Sequence, residues 1–130
     1  REDKQRESGQ GFEAAVADYT PADPAAQTAA LFQAKRMASA GKMAHLMGMT
    51  DSFGARVKAS GVRLPAAENI ASGQQSVDAV VTAWINSPHH LENMLGRYDG
   101  LGVAVAHNTS SRNLPYWAMV LSSRGDSASI

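Results

Sequence analysis

Two histidines stand side by side directly after a proline in INSPHHLEN, residues 85–93, in a chain that holds four histidines in all. Ser87-Pro88 is a helix start of the cap-then-proline kind, which makes His89 and His90 the second and third residues of a short helix. A histidine at that position feels the positive end of the helix dipole, and this favours the neutral imidazole. A neutral imidazole can accept a proton, take a hydrogen bond or bind a metal. Successive helical residues project about 100° apart, so the pair cannot serve one site equally. One should face inward and the other the solvent, with Asn93 one turn on continuing whichever face is polar.

Two further groups could join this chemistry. His45 lies among methionines in KMAHLM, and reads either as a partly buried histidine satisfied by a backbone carbonyl or as a ligand. Glu68, in AAENIASG, has small apolar neighbours and no adjacent lysine or arginine. It either points to solvent from a loop or is held among those neighbours away from full solvation. Asn69 beside it most simply hydrogen-bonds local backbone to hold a turn.

The elements that would position these groups are legible from periodicity and punctuation. GFEAAVADY, residues 11–19, suits a short helix with Phe12, Ala15, Val16 and Tyr19 on one face. Asp23-Pro24 starts an alanine-rich helix that runs to the C-cap glycine Gly41. A stop-start follows around KMAHLMGMTDS, where Thr50 or Asp51 could cap a short helix over SFGARVKAS, ended by Gly61. GVRLPAAENIASGQQ, with glycine at both ends and a proline inside, reads mostly as loop. Ser76 then caps a helix through VDAVVTAWINS, and the Ser87-Pro88 helix ends at Gly96. Beyond Gly100 the period changes to two. LGVAVAH has Leu101, Val103 and Val105 on one face, and in YWAMVLSS Tyr116, Ala118 and Val120 alternate with Trp117, Met119 and Leu121. A polar turn, NTSSRNLP, joins the two strands as an antiparallel hairpin. Helices first and a small antiparallel sheet late make an α+β domain.

Bulk properties narrow the function classes. One hundred and thirty residues make one domain with a proper core. Twelve basic and twelve acidic side chains cancel, so nothing draws the chain broadly onto nucleic acid or an anionic membrane. The mixed-charge run at residues 1–10 is polar and reads as a flexible segment ahead of a single domain over 11–130. That run is either a tether behind a lipid anchor or a trimmed end, and the start at Arg1 rather than Met fits a cleaved leader or trimming alike. The absence of cysteine removes disulfides, zinc thiolates and thiol nucleophiles together. No apolar stretch approaches the roughly 18 residues that span a bilayer. G-x-S-x-G, a Walker loop, G-x-G-x-x-G and HExxH are all missing. Asn108-Thr109-Ser110 matches a glycosylation acceptor, which turn composition explains as well.

The order His45, then AENIASG, then WINSPHHLEN, then LGVAVA and a closing YWAMVLS resembles the CAP superfamily. That group comprises the cysteine-rich secretory, antigen 5 and pathogenesis-related 1 proteins, and the likeness is nearest to its short, cysteine-free bacterial branch. It covers roughly residues 11 to 123. It implies a three-layer α-β-α sandwich with a small central antiparallel sheet and a large cleft. By the same resemblance His45 matches the first site histidine, and Glu68 the glutamate of a G-E-N-hydrophobic-A motif. His90 matches the second site histidine, in a pattern S-P-x-H with asparagine three residues on, here Asn93. His89 occupies a position often glycine and should be peripheral. Trp84 and Trp117 match positions that look structural. In some members a divalent metal, often zinc, binds between the two histidines, here His45 and His90.

Two departures matter. Ala67 stands where the motif has glycine, and the second acidic residue of many eukaryotic members falls near Asn86 or Ser87. A two-carboxylate acid/base mechanism has therefore lost a partner. The resemblance implies an extracytoplasmic protein, secreted or periplasmic, whose cleft binds a small molecule, lipid or cell-envelope component through His45, Glu68, Asn69 and His90. The missing carboxylate favours binding over catalysis. The alternative is a hydrolase acting on cell-envelope material or peptides through a metal-bound or Glu68-activated water. A purely structural module would leave His45, Glu68 and His90 far apart.

Overall fold

The structure, a computed structural model, describes residues 22–47 and 52–123. Among these, four helices and three strands follow one another as α1 (Pro24–Ala40), α2 (Phe53–Ala59), β1 (Arg63–Ser72), α3 (Val77–Ile85), α4 (Pro88–Met94), β2 (Gly100–Asn108) and β3 (Leu114–Ser123). The sheet is antiparallel throughout, in the order β1-β3-β2, with the last strand at its centre.

Three of the four helices start where a side chain serves a free N–H group, and α4 starts at Ser87-Pro88 without a side-chain cap bond. Asp23 Oδ1 accepts from the Ala25 N–H, with Pro24 at the first helical position, and Gly41 closes α1 in the left-handed conformation. Ser52 caps α2 by accepting from Ala55, so the cap is Ser52 rather than Thr50 or Asp51. Ser76 caps α3 through the Ala79 N–H. The expected helix over 11–19 and the flexible segment 1–10 lie outside the described residues.

The alternation in β3 divides the core in two. Tyr116, Ala118 and Val120 pack with Ala26, Ala30, Ala34 and Met37 of α1 and Val57 of α2. Trp117, Met119 and Leu121 face the other way, onto Val80, Val81 and Trp84 of α3. Helices on both faces of a three-stranded sheet form the expected three-layer α-β-α sandwich. Alanine along α1 lets the helix sit close. At Gly102 a Cβ would lie only 2.3 Å from backbone atoms of Ala26 and Gln27, so β2 and α1 touch through main chain.

Both outer edges of the sheet are covered by side chains. Gln27 donates to the Val103 carbonyl at 2.8 Å and accepts from the Val103 N–H at 2.9 Å, closing the edge of β2. On β1, the Trp84 indole donates to the Ile70 carbonyl at 3.1 Å, and Asn93 Nδ2 reaches the Glu68 carbonyl at 3.5 Å.

β1 corrects the expectation that residues 61–75 are mostly loop. Its first three residues are exposed, a register shift falls between Arg63 and Ala67, and the following stretch is buried on both faces. Proline at an irregularity and alanine, glutamate and asparagine inside a strand erase the usual strand signal. Burial on both faces removes the polar-apolar alternation as well.

Candidate functional site

Glu68 and Asn69 are consecutive on β1, so their side chains leave opposite faces of the sheet. Glu68 shares a face with Ile70, which packs against α1, and Asn69 shares one with Ala67 and Ala71, which pack against α3. Each is the centre of a polar group, one on either face of β1.

On the first face the Glu68 side chain is 1% exposed. Arg56 of α2 holds it with two parallel hydrogen bonds, Nη1 to Oε2 at 3.0 Å and Nη2 to Oε1 at 2.9 Å. This fork-to-fork pairing is the strong, geometrically specific form of a charged contact. Phe53 lies under the guanidinium, 5.5 Å from ring centroid to Cζ, and fixes its plane. Glu68 Oε1 also accepts from His45 Nδ1 at 2.8 Å. That partner assigns the neutral ring its proton on Nδ1 and leaves Nε2 an acceptor. The His45 side chain is 52% exposed.

On the second face Asn69 is fully buried. Its Nδ2 donates to the His90 carbonyl at 3.2 Å, and its Oδ1 accepts from Asn93 Nδ2 at 2.8 Å. Asn69 therefore ties β1 to α4 instead of holding a local turn. Within α4, His89 is exposed and His90 half-buried, the division expected from their angular separation. His90 Nδ1 is buried without a hydrogen-bond partner in the protein. Its pKa is lowered below the ordinary histidine value, first by burial and then by the nearby His45 and His89. The neutral ring is thus the preferred form, as the helix start suggests.

His45 and Glu68 are in contact; His90 is tied to the next residue of β1 through its backbone carbonyl, which accepts from Asn69, and its ring feels the charge of His45. Arg56 is not among the residues singled out from the sequence. It lies twelve residues from Glu68, in a helix whose other inward residues, Phe53 and Val57, are apolar. The signal was its position three residues after Phe53 and just before Val57, on the buried side of a short amphipathic helix.

As a donor set for a cation, the arrangement offers two imidazoles. Both Glu68 oxygens already carry hydrogen bonds from protein groups. Among the described residues no group of three or more His, Cys, Asp or Glu is placed to hold a metal ion. A divalent ion on His45 and His90 would take its remaining ligands from water or from a bound molecule.

No helix among the described residues is long and apolar enough to cross a membrane. The chain matches no curated protein. Among solved structures it is similar to an outer surface protein of Borrelia burgdorferi, at 20% identity and a TM-score of 0.72, over 95% of this chain and 91% of that one. It is also similar to an extracellular protein containing an SCP domain from Bacillus anthracis, at 23% identity and a TM-score of 0.71. That match covers 81% of this chain and 34% of the other, so the chain spans about a third of that protein. At these identities the likeness is one of fold. The model of the CAP family, described as the cysteine-rich secretory protein family, matches residues 14–121. With that span, the three-layer sandwich and the ordered His45, Glu68 and His90 motifs, the chain belongs to the CAP family.

Proposed function

We propose that this chain is a secreted or periplasmic binding protein whose His45, Glu68 and His90 receive a small molecule, lipid or other cell-envelope component. The observation that carries this reading is the state of Glu68. A carboxylate that is 1% exposed and held by Arg56 and His45 is poorly placed to activate a water on a substrate. Its role in this reading is to orient His45, whose Nε2 meets the ligand together with the His90 ring. Asn69 sets the height of α4 and so the position of His90. The outer-surface and extracellular descriptions of the structurally similar proteins support the extracytoplasmic location.

A second reading, a metal-dependent hydrolase of cell-envelope material or peptides, is favoured by one feature. An imidazole that gives its Nδ1 proton to a buried carboxylate is the arrangement that orients metal-binding histidines. His45 and His90 would hold the zinc, and zinc supplies a bound water of lowered pKa. With two protein donors, occupancy would depend strongly on pH and concentration.

Calorimetric titration with zinc near pH 7.5, on the wild type and on His90→Ala, separates the two. Micromolar binding lost in the variant supports the metal reading and calls for hydrolysis assays on peptidoglycan and peptides. No heat from either protein sets the metal aside and directs the search to lipid and small-molecule panels. If His45→Ala and His90→Ala bind every hit from such a panel as the wild type does, the binding reading is wrong.

A further inference from the structure

The segment that carries His45, residues 42–47, is neither helix nor strand. An exposed imidazole on irregular backbone would sample many positions unless its main chain were fastened. Two buried side chains fasten it. Arg56 Nη2, already bound to Glu68, also donates to the His45 carbonyl at 2.8 Å. Gln33 Nε2 donates to the Ala44 carbonyl at 2.6 Å, with the His45 carbonyl 3.4 Å away.

Gln33 is an unexpected residue where it stands. It is 0% exposed, on a face of α1 otherwise made of Ala26, Ala29, Ala30, Ala34 and Met37. An amide in such a setting is costly unless its groups find partners, and an apolar side chain of the same length would fill the space without that cost. Its Oε1 remains buried with no hydrogen-bond partner, so the residue is only half satisfied. Its amide Nε2 is directed at the two carbonyls that bracket the His45 residue, those of Ala44 and His45.

We propose that Gln33 is a positioning residue for His45: it clamps the Ala44–His45 main chain against α1 so that the Nδ1–H of His45 meets Glu68 and Nε2 faces outward. Arg56 supplies a second grip, on the His45 carbonyl. This rests on the reading of His45 as a ligand-contacting residue. A glutamine placed only to fill the core would have no influence on the His45 ring.

The test uses Gln33→Met, which keeps the length and volume of the side chain and removes both amide groups. Ring nitrogen NMR shifts report the His45 tautomer, and zinc alone is the binding probe. Wild-type His45 should show a single Nδ1–H tautomer. Gln33→Met should keep the cooperative unfolding transition, average the His45 tautomers, leave the His90 signals in place and weaken zinc binding about tenfold, as loss of an orienting partner does. A folded Gln33→Met with the wild-type tautomer and zinc affinity overturns the proposal. So does tautomer averaging at His45 in the wild type, a measurement that needs no variant to fold. If the wild type does not bind zinc, the metal reading fails, while the tautomer comparison still decides the role of Gln33.

Discussion

Glu68 and Asn69, neighbours on one edge strand, bind different layers of the sandwich: Glu68 reaches Arg56 and His45 on the α1/α2 side, and Asn69 reaches His90 and Asn93 on the α4 side. A single peptide unit thus sets the relation between the two site histidines. Strand pleating, which sends adjacent side chains to opposite faces, turns a two-residue motif into a bracket around the sheet edge.

The Arg56–Glu68 pair should be the most sensitive polar contact in the fold. Both side chains are almost fully buried, and removing one leaves the other as an uncompensated charge. Arg56→Ala is expected to lose about 3–5 kcal/mol in urea unfolding. Arg56→Lys should recover only part of this, because an ammonium cannot reproduce the two-pronged contact. Equal stability of Arg56→Ala and the wild type would show that the pair does not form.

Asn69→Ala should loosen α4 more than the rest of the molecule. It removes the bond to the His90 carbonyl and leaves Asn93 only its long contact with the Glu68 carbonyl, at a cost of about 1–3 kcal/mol. Hydrogen exchange resolved by residue should show faster exchange in Pro88–Met94 while the amides of β3 stay protected. Uniform acceleration across the chain would point to a general packing role instead.

Stability should fall as the pH drops below neutrality, in part through His90. Its folded pKa is lowered from the unfolded value of 6.5. Between the two values the unfolded chain binds more protons, so the stabilisation is fully present above the unfolded pKa and is lost as pH falls from about 6.5 toward the folded value. His90→Gln should flatten this part of the curve of unfolding free energy against pH. A wild-type curve with no slope between pH 7.5 and 5, or a variant curve as steep as the wild type, would contradict the buried, neutral ring.

Gly102→Ala tests the close approach of β2 to α1. The added methyl would sit 2.3 Å from the Ala26 and Gln27 main chain, and backbone on both sides cannot yield as a side chain could. The expected loss is about 3 kcal/mol, at the upper end of overpacking effects, with poor soluble yield. Val103→Ala, next along the strand and facing the other layer, should cost less, because its side chain is only half-buried.

Local patterns in the chain were enough for much of this. The cap residues Asp23 and Ser76, the cap-then-proline at Ser87-Pro88, the closing Gly41 and the period-two runs in β2 and β3 are short-range signals, and each gave its element within a residue or two. Angular separation on a helix also required that one of His89 and His90 face inward and the other outward, and the family resemblance named His90 as the inward one. The ordered motifs around His45, Glu68 and His90 carried the family, because those residues keep their order along the chain. What tertiary structure alone decided is β1 and everything hung on it. A strand with proline at its irregular start, buried on both faces, owes its conformation to pairing with β3, which is close to fifty residues away in sequence. Its partners are also distant: Arg56 for Glu68, α4 for Asn69, Gln33 for the His45 loop. Sequence reports local conformational preference, whereas which buried polar groups satisfy one another is settled only when packing removes the water that would otherwise serve them.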